Sequence, residues 1–236
     1  MITIRQVTEV ILTSIGGNQF QGVVGTPLQG SCLFLVIAAV GADLSYTTIS
    51  DNLGGEIIPL GANGNPGGAA LGSGWSFFRE NWGGGDLQVT IQMSAGASSV
   101  SCILVEMSKA PLSGCLLDYT TILDTSSPYV AAPLTPSEAR SMMVAVLYSD
   151  EGAAGLTYAE STGYSIVAQR TLGGNAPLCV AVQYLTSSSP QAPSFTTTGG
   201  GTTGKIVLAA FRDDPAQDVN THQGANRFLR HFRRAA

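Results

Sequence analysis

The uncharged stretch Ser31 to Val40 (SCLFLVIAAV), apolar throughout from Cys32 on, limits what this chain can fold into. A membrane-spanning helix needs about 20 such residues. This run is instead closed off by Gly25, Pro27 and Gly30 on one side and Gly41 and Asp43 on the other. A short apolar run between turn residues marks a strand buried on both faces. Ser101–Met107, Ser141–Tyr148 and Lys205–Phe211 are runs of the same kind. A two-sheet sandwich covers only one face of each strand. The four runs therefore predict central strands whose second face is covered by loops, by the N-terminal segment or by another subunit.

The remaining segments are short and strand-like. Leu87, Val89, Ile91 and Met93 alternate with Gln88, Thr90 and Gln92, the period of a strand with one buried face. Trp75–Glu80, Leu116–Leu123, Pro128–Ala132, Gly163–Gln169, Leu178–Leu185 and Ser194–Thr198 also read as strands. Ser45–Ser50 and Glu56–Leu60 flank Asp51-Asn52 and Gly54-Gly55, turn chemistry that predicts a hairpin. No helix-period segment of ordinary length precedes residue 215. The fold class expected is all-β: an antiparallel two-sheet β-sandwich or jelly roll with an extended C-terminal tail. Residues 1–30 form an N-terminal strand or arm, 31–214 the β-sandwich, and 215–236 a linker and basic amphipathic tail. The order of segments in 31–107 recurs faintly in 141–211, which suggests two halves contributing to one sandwich.

Charged residues make up 11% of the chain, against about 25% in ordinary soluble domains. Gly, Ser and Thr stand where Lys and Glu usually keep proteins apart, so the surface suits an assembly. Residues 1–220 hold seven basic and sixteen acidic groups, a net −9, whereas 221–236 hold four arginines and no acid. In that tail Phe228, Leu229 and Phe232 fall at helical spacing among Arg227, Arg230, Arg233 and Arg234. The segment is too short for a stable isolated helix. It reads as a partner-binding element for a neighbouring subunit, or for the acidic body of its own or another copy.

The two histidines, His222 and His231, both lie in the tail, which removes histidine-based triads and zinc sites from the body. GGGTTGK (Gly199–Lys205) imitates a phosphate-binding loop, but Ile206 replaces the required Ser or Thr and a strand follows where a helix must start. Asp150-Glu151 and Asp213-Asp214 are sequence neighbours, and neighbours on a strand point to opposite faces. Asp43, Asp51 and Glu56 lack calcium-loop spacing and read as turn acids. Trp75 and Trp82 are the candidates for glycan stacking. Cys32, Cys102, Cys115 and Cys179 have no metal spacing, and the N-terminus has no signal-peptide pattern, so free thiols and cytoplasmic synthesis are expected. No catalytic residue, cofactor or metal is expected.

The succession LFLVIAAV, TTISDNLGGEIIPL, WSFFREN, LQVTIQMSA and CILVEMS, closing on GKIVLAAFRDD, resembles a β-sandwich domain recurrent in phage and bacterial genomes. The likeness spans about residues 30–214; Lys205 stands where that type carries an aromatic, and GGEIIPL lacks its tyrosine. Such domains are similar to those of tailed-phage virion proteins (head decoration, fibre and tail components) and of secreted adhesive proteins. The resemblance implies a non-enzymatic structural protein of a bacteriophage virion. A head decoration or minor capsid protein, bound to other virion proteins and to copies of itself, comes first. A tail or fibre component, or a carbohydrate-binding module for host adsorption, is the alternative. Neither nucleic acid nor membrane is an expected partner.

Overall fold

The computed structural model describes residues 1–41, 44–61, 73–108, 110–111, 113–124, 127–149, 158–170, 178–197 and 204–214. Among them there are sixteen strands and no helix. The first eight are β1 (Thr3–Gly16), β2 (Gln19–Gly25), β3 (Cys32–Val40), β4 (Tyr46–Asp51), β5 (Ile58–Leu60), β6 (Ser73–Arg79), β7 (Leu87–Met93) and β8 (Ser99–Ser108). The second eight are β9 (Leu116–Asp124), β10 (Tyr129–Val130), β11 (Ser141–Ser149), β12 (Tyr158–Glu160), β13 (Ser165–Arg170), β14 (Leu178–Leu185), β15 (Ser194–Thr197) and β16 (Gly204–Arg212).

Every described pairing is antiparallel, and the two sets of eight are wired alike. In the first half the ladder runs β4-β7-β2-β1-β8-β3-β6-β5. In the second, one sheet runs β9-β16-β11-β14-β13 and another β12-β15-β10. Adding eight to each strand number of β1-β8-β3-β6-β5 and β4-β7-β2 reproduces the second half. The likeness extends to a defect in the ladder. β1 skips a residue between Ile4 and Gln6 opposite β8, and β9 skips one between Leu116 and Asp118 opposite β16. A bulge of this kind bends the edge strand at the same place in each half.

The halves stack as four layers, which is where the structure departs from a single two-sheet sandwich. The first-half ladder folds back on itself through the long β1. That strand pairs β8 over Thr3–Leu12 and β2 over Thr13–Gly16. The fold-back encloses one core, in which Leu33, Leu35 and Ile37 of β3 meet Leu87, Val89 and Ile91 of β7. The five-stranded sheets of the two halves then pack face to face. Phe34, Val36 and Val105 meet Val144, Val146 and Phe211 there. On the far side Met143, Ala145 and Leu147 of β11 are covered by Tyr129, Tyr158 and Phe195. Edges match across the central junction: Arg170 of β13 pairs with Glu9 of β1, and Gly61, just after β5, lies against Thr121 of β9. Exchanging the halves preserves that arrangement.

The four apolar runs are the central strands β3, β8, β11 and β16, buried on both faces as expected. What covers the second face is another layer of the same chain, so no second subunit is needed to explain their hydrophobicity. The hairpin expected across residues 51–55 does not form. β4 pairs β7 while β5 pairs β6, so the two strands sit in different layers. Residues 3–25 are built into the sheets as β1 and β2.

Candidate functional site

Buried polar clusters are the first place to look for chemistry in an all-β body. The described residues hold four. Asp51, at the end of β4, is ion-paired with Arg79 at the end of β6, and its Oδ1 accepts the Leu53 amide at 2.7 Å. The Arg79 guanidinium lies 4.7 Å from the centre of the Trp82 ring, and desolvation lowers its pKa. A side chain at Gly55 would overlap that guanidinium, so the turn after β4 needs glycine. Glu106, near the end of β8, accepts from the Leu28 amide at 2.9 Å and the Ser31 hydroxyl at 2.6 Å, with Arg5 at 3.4 Å. Asp213 accepts from the Tyr184 hydroxyl at 2.9 Å and pairs with Arg140 at 2.7 Å. Each of these ties a strand end to a loop.

The fourth cluster lies between the halves. The Tyr148 hydroxyl and the Ser76 hydroxyl share a hydrogen bond of 2.8 Å, and the Lys205 ammonium reaches the Gly74 carbonyl at 3.5 Å. A Cβ at Gly74 would overlap the Tyr148 ring. Burial lowers the Lys205 pKa to about 8. Between about pH 8 and 10.5 the unfolded chain binds a proton at Lys205 that the folded chain lacks, so this residue's contribution to stability rises with pH there. Below pH 8 the cost of the buried ammonium is constant. Lys205→Met is therefore expected to stabilise the chain at pH 7 by up to about 3 kcal/mol. The gain should shrink as urea titrations are repeated towards pH 10.5. A gain that stays constant or grows with pH would contradict the assignment.

Where a hydroxyl does meet a possible base, as Ser31 meets Glu106 at 2.6 Å, both side chains are buried. Among the described residues no group of three His, Cys, Asp or Glu is placed to hold a metal ion. Lys205, which ends the phosphate-loop imitation, sits inside β16; Gly199–Thr203 lie outside the described residues. The four thiols are unpaired by disulfide and buried. Burial pushes the Cys102 and Cys179 thiols up to about 12, and Cys32, beside the Cys115 thiol, well above its usual range. Asp51 is occupied by Arg79, and Asp43, Asp150 and Glu151 lie outside the described residues. No helix long and apolar enough to cross a membrane occurs among the described residues.

The glycan platform is not there. Trp75 is 2% exposed and Trp82 fully buried, so neither ring offers a face to a sugar. Trp75 and Phe77 enter the first-half core, where Tyr46 meets both rings edge-on, and Phe78 turns to the central junction. The tail residues Arg227, Phe228, Leu229, Arg230, Phe232, Arg233 and Arg234 lie outside the described residues.

What the surface offers instead is a sheet face poor in charge. β7 turns Leu87, Val89, Ile91 and Met93 inward and leaves Gln88, Thr90 and Gln92 partly open. The Gln21 amide bonds to Thr90 at 2.8 Å, joining β2 to β7 through side chains. Val23 of β2 and Ile11 and Ile15 of β1 are each about half exposed. The outer face of β2 and β7 therefore mixes amides, hydroxyls and an aliphatic with no charge, while β1 adds Ile11 and Ile15 and, two residues before Ile11 on the same side, Glu9 ion-paired with Arg170. Periodicity identified which residues of β7 point out; that β1 and β2 extend the same face was not readable from local pattern.

No family model and no curated protein matches the chain. Among solved structures, the chain is similar to the STIV MCP, at 9% identity and a TM-score of 0.28, over 90% of this chain and 98% of that one. It is also similar to a chain in the atomic structure of Sulfolobus Turreted Icosahedral Virus, at 10% identity and a TM-score of 0.26, over 92% of each. At these scores neither assigns a role to any residue of this chain.

Proposed function

We propose that this protein is a non-enzymatic structural subunit of a virus particle, held in place by contacts between sheet faces. The observation that carries the reading is the outer face of β2 and β7, uncharged among its described residues, with Val23 standing out of it and the exposed Ile11 and Ile15 of β1 beside it. A sheet face left in water normally carries Lys and Glu, which oppose association. Burial of this neutral face against a neighbour costs no charge desolvation and gains aliphatic contact. The resemblance of the strand sequence to virion sandwiches supports the particle setting and a head decoration or minor capsid place within it. The burial of Trp75 and Trp82 takes away the residues on which host-glycan binding would rest.

The full chain is expected to sediment as oligomers that grow with concentration. Val23→Lys, which places a charge on the exposed face without touching a core, should shift it to monomer by tenfold or more in dissociation constant, about 1.4 kcal/mol. A native chain that stays monomeric at high concentration would overturn the contact surface. Particles purified from cells that make the protein should contain it in fixed ratio to their other components; its absence from them would overturn the particle reading.

A further inference from the structure

The four thiols are divided among the cores. Cys102 lies in the first-half core and Cys179 in the outer core of the second half. A buried thiol of that kind behaves as a small hydrophobe. Cys32 and Cys115 are different. Both are fully buried at the central junction, and their thiols are hydrogen-bonded to each other.

That contact bridges the halves. Cys32 opens β3 of the first half and is held by pairing with Met107 of β8. Cys115 stands immediately before β9 of the second half. Its amide donates to the Glu80 carboxylate, just after β6, at 2.7 Å, and its carbonyl accepts the Arg212 amide of β16 at 2.7 Å. One half therefore holds each side of its backbone.

A disulfide would draw the two sulfurs from hydrogen-bond contact to about 2.05 Å. Cys115 can supply the movement. Ser113 and Gly114 before it are exposed, and Gly114 has a φ of 64°, the left-handed conformation of a turn. Local opening of this short segment brings Cys115, and not the strand residue Cys32, to solvent. Burial, with the neighbouring thiol, holds the Cys32 pKa well above its usual range, which makes Cys32 the poorer first attacker.

We propose that Cys32 and Cys115 are an oxidisable dithiol, which a small-molecule disulfide such as oxidised glutathione converts into a covalent link between the two halves. Cys115 loses its proton to water, and its sulfur displaces one glutathione from the reagent, leaving the other on Cys115. The Cys32 sulfur then displaces that second glutathione, which departs with the Cys32 proton. Two protein thiols are oxidised to one disulfide, and one glutathione disulfide is reduced to two thiols. A reducing cytoplasm keeps the pair open, and an oxidising medium closes it. This does not depend on the particle reading.

The test treats the full chain with excess oxidised glutathione, alkylates the remaining thiols in denaturant and digests the unreduced chain with trypsin. Cleavage after Arg5, Arg79, Lys109, Arg140, Arg170 and Lys205 puts each cysteine on its own peptide. Peptide 6–79 joined to 110–140 is expected at least about tenfold over any other pairing, because contact raises the effective concentration of the two sulfurs. Refolding from urea in the same reagent should give the same link, with burial no barrier to the reagent. The oxidised chain should need more urea to unfold than the reduced one, since a bond between residues 83 apart constrains the unfolded chain, and dithiothreitol should erase the difference. Cys32→Ala should stop at one glutathione on Cys115. Four thiols still open to alkylation after both treatments would overturn the proposal. So would 6–79 joined mainly to 80–109 or 171–205, or a 6–79 to 110–140 link found only between chains.

Discussion

Phe211→Ala is expected to cost about 3–5 kcal/mol, the range for deleting a fully buried phenylalanine. Phe211 is the last inward residue of β16 and has no exposed surface. Its ring meets Phe34 edge-on at 5.7 Å and Phe78 at 6.4 Å, both from the first half. The cavity would therefore open at the junction between halves, where neither sheet can collapse without dragging its outer layer along. Against a usual total of about 5–15 kcal/mol, the loss brings the chain close to unfolding at room temperature. Urea unfolding followed by tryptophan fluorescence and by far-ultraviolet circular dichroism measures it. Because Trp75 and Trp82 both report on the first half, transitions that separate between the probes would show the halves uncoupling. A loss below about 1 kcal/mol would mean that the junction does not hold the halves together.

Arg79→Met is expected to cost a similar amount for a different reason. The Asp51 carboxylate has no exposed side-chain surface, and the Arg79 guanidinium is its one described cationic partner. Removing one member of a buried pair strands the other, at about 3–5 kcal/mol. The cation–π contact with Trp82 and the packing against Gly55 would go with it. Replacing both partners, as Arg79→Met with Asp51→Leu, should recover most of the loss, because the unpaired charge dominates it. Thermal unfolding of the three variants separates the two contributions. A double variant no more stable than Arg79→Met alone would show that packing, not the stranded carboxylate, is what is lost.

Much of the strand inventory was legible because period and turn chemistry are local. Leu87–Met93 and Leu178–Leu185 have the boundaries read from the sequence; of the four apolar runs, Ser31–Val40 lost its first residue and the other three lengthened by one to three. Layering was not legible, because burial on both faces of β3 or β11 shows that something covers each face without saying what. Gly54-Gly55 shows the limit of turn reasoning: the turn is real, but the wiring sends β4 and β5 to different sheets. The aromatic cluster in and after β6 misled in the same way. Alternation separates Trp75 and Phe77 from Phe78, yet both faces of this sheet are core, so no ring is left for a ligand. Glu106 did carry a signal, a lone carboxylate inside an apolar run. The Asp51–Arg79 pair carried none, because its partners are 28 residues apart on strands that are not neighbours. The faint echo between 31–107 and 141–211 was the trace of the duplicated wiring. Its residues differ between the halves, since a core position asks for volume and not identity.

Each half is closed by joining its first strand to its last: Thr3 pairs with Ser108, and Leu116 with Phe211. A nascent chain can thus complete its first unit once Ser108 has left the ribosome. It then displays Phe34, Val36, Ile103 and Val105 with nothing over them. At about 5–20 residues per second, the partner sheet arrives some 5–20 s later. For that interval the growing polypeptide presents a finished sheet with a bare apolar face, so the vulnerable species in its biogenesis is a well-formed half.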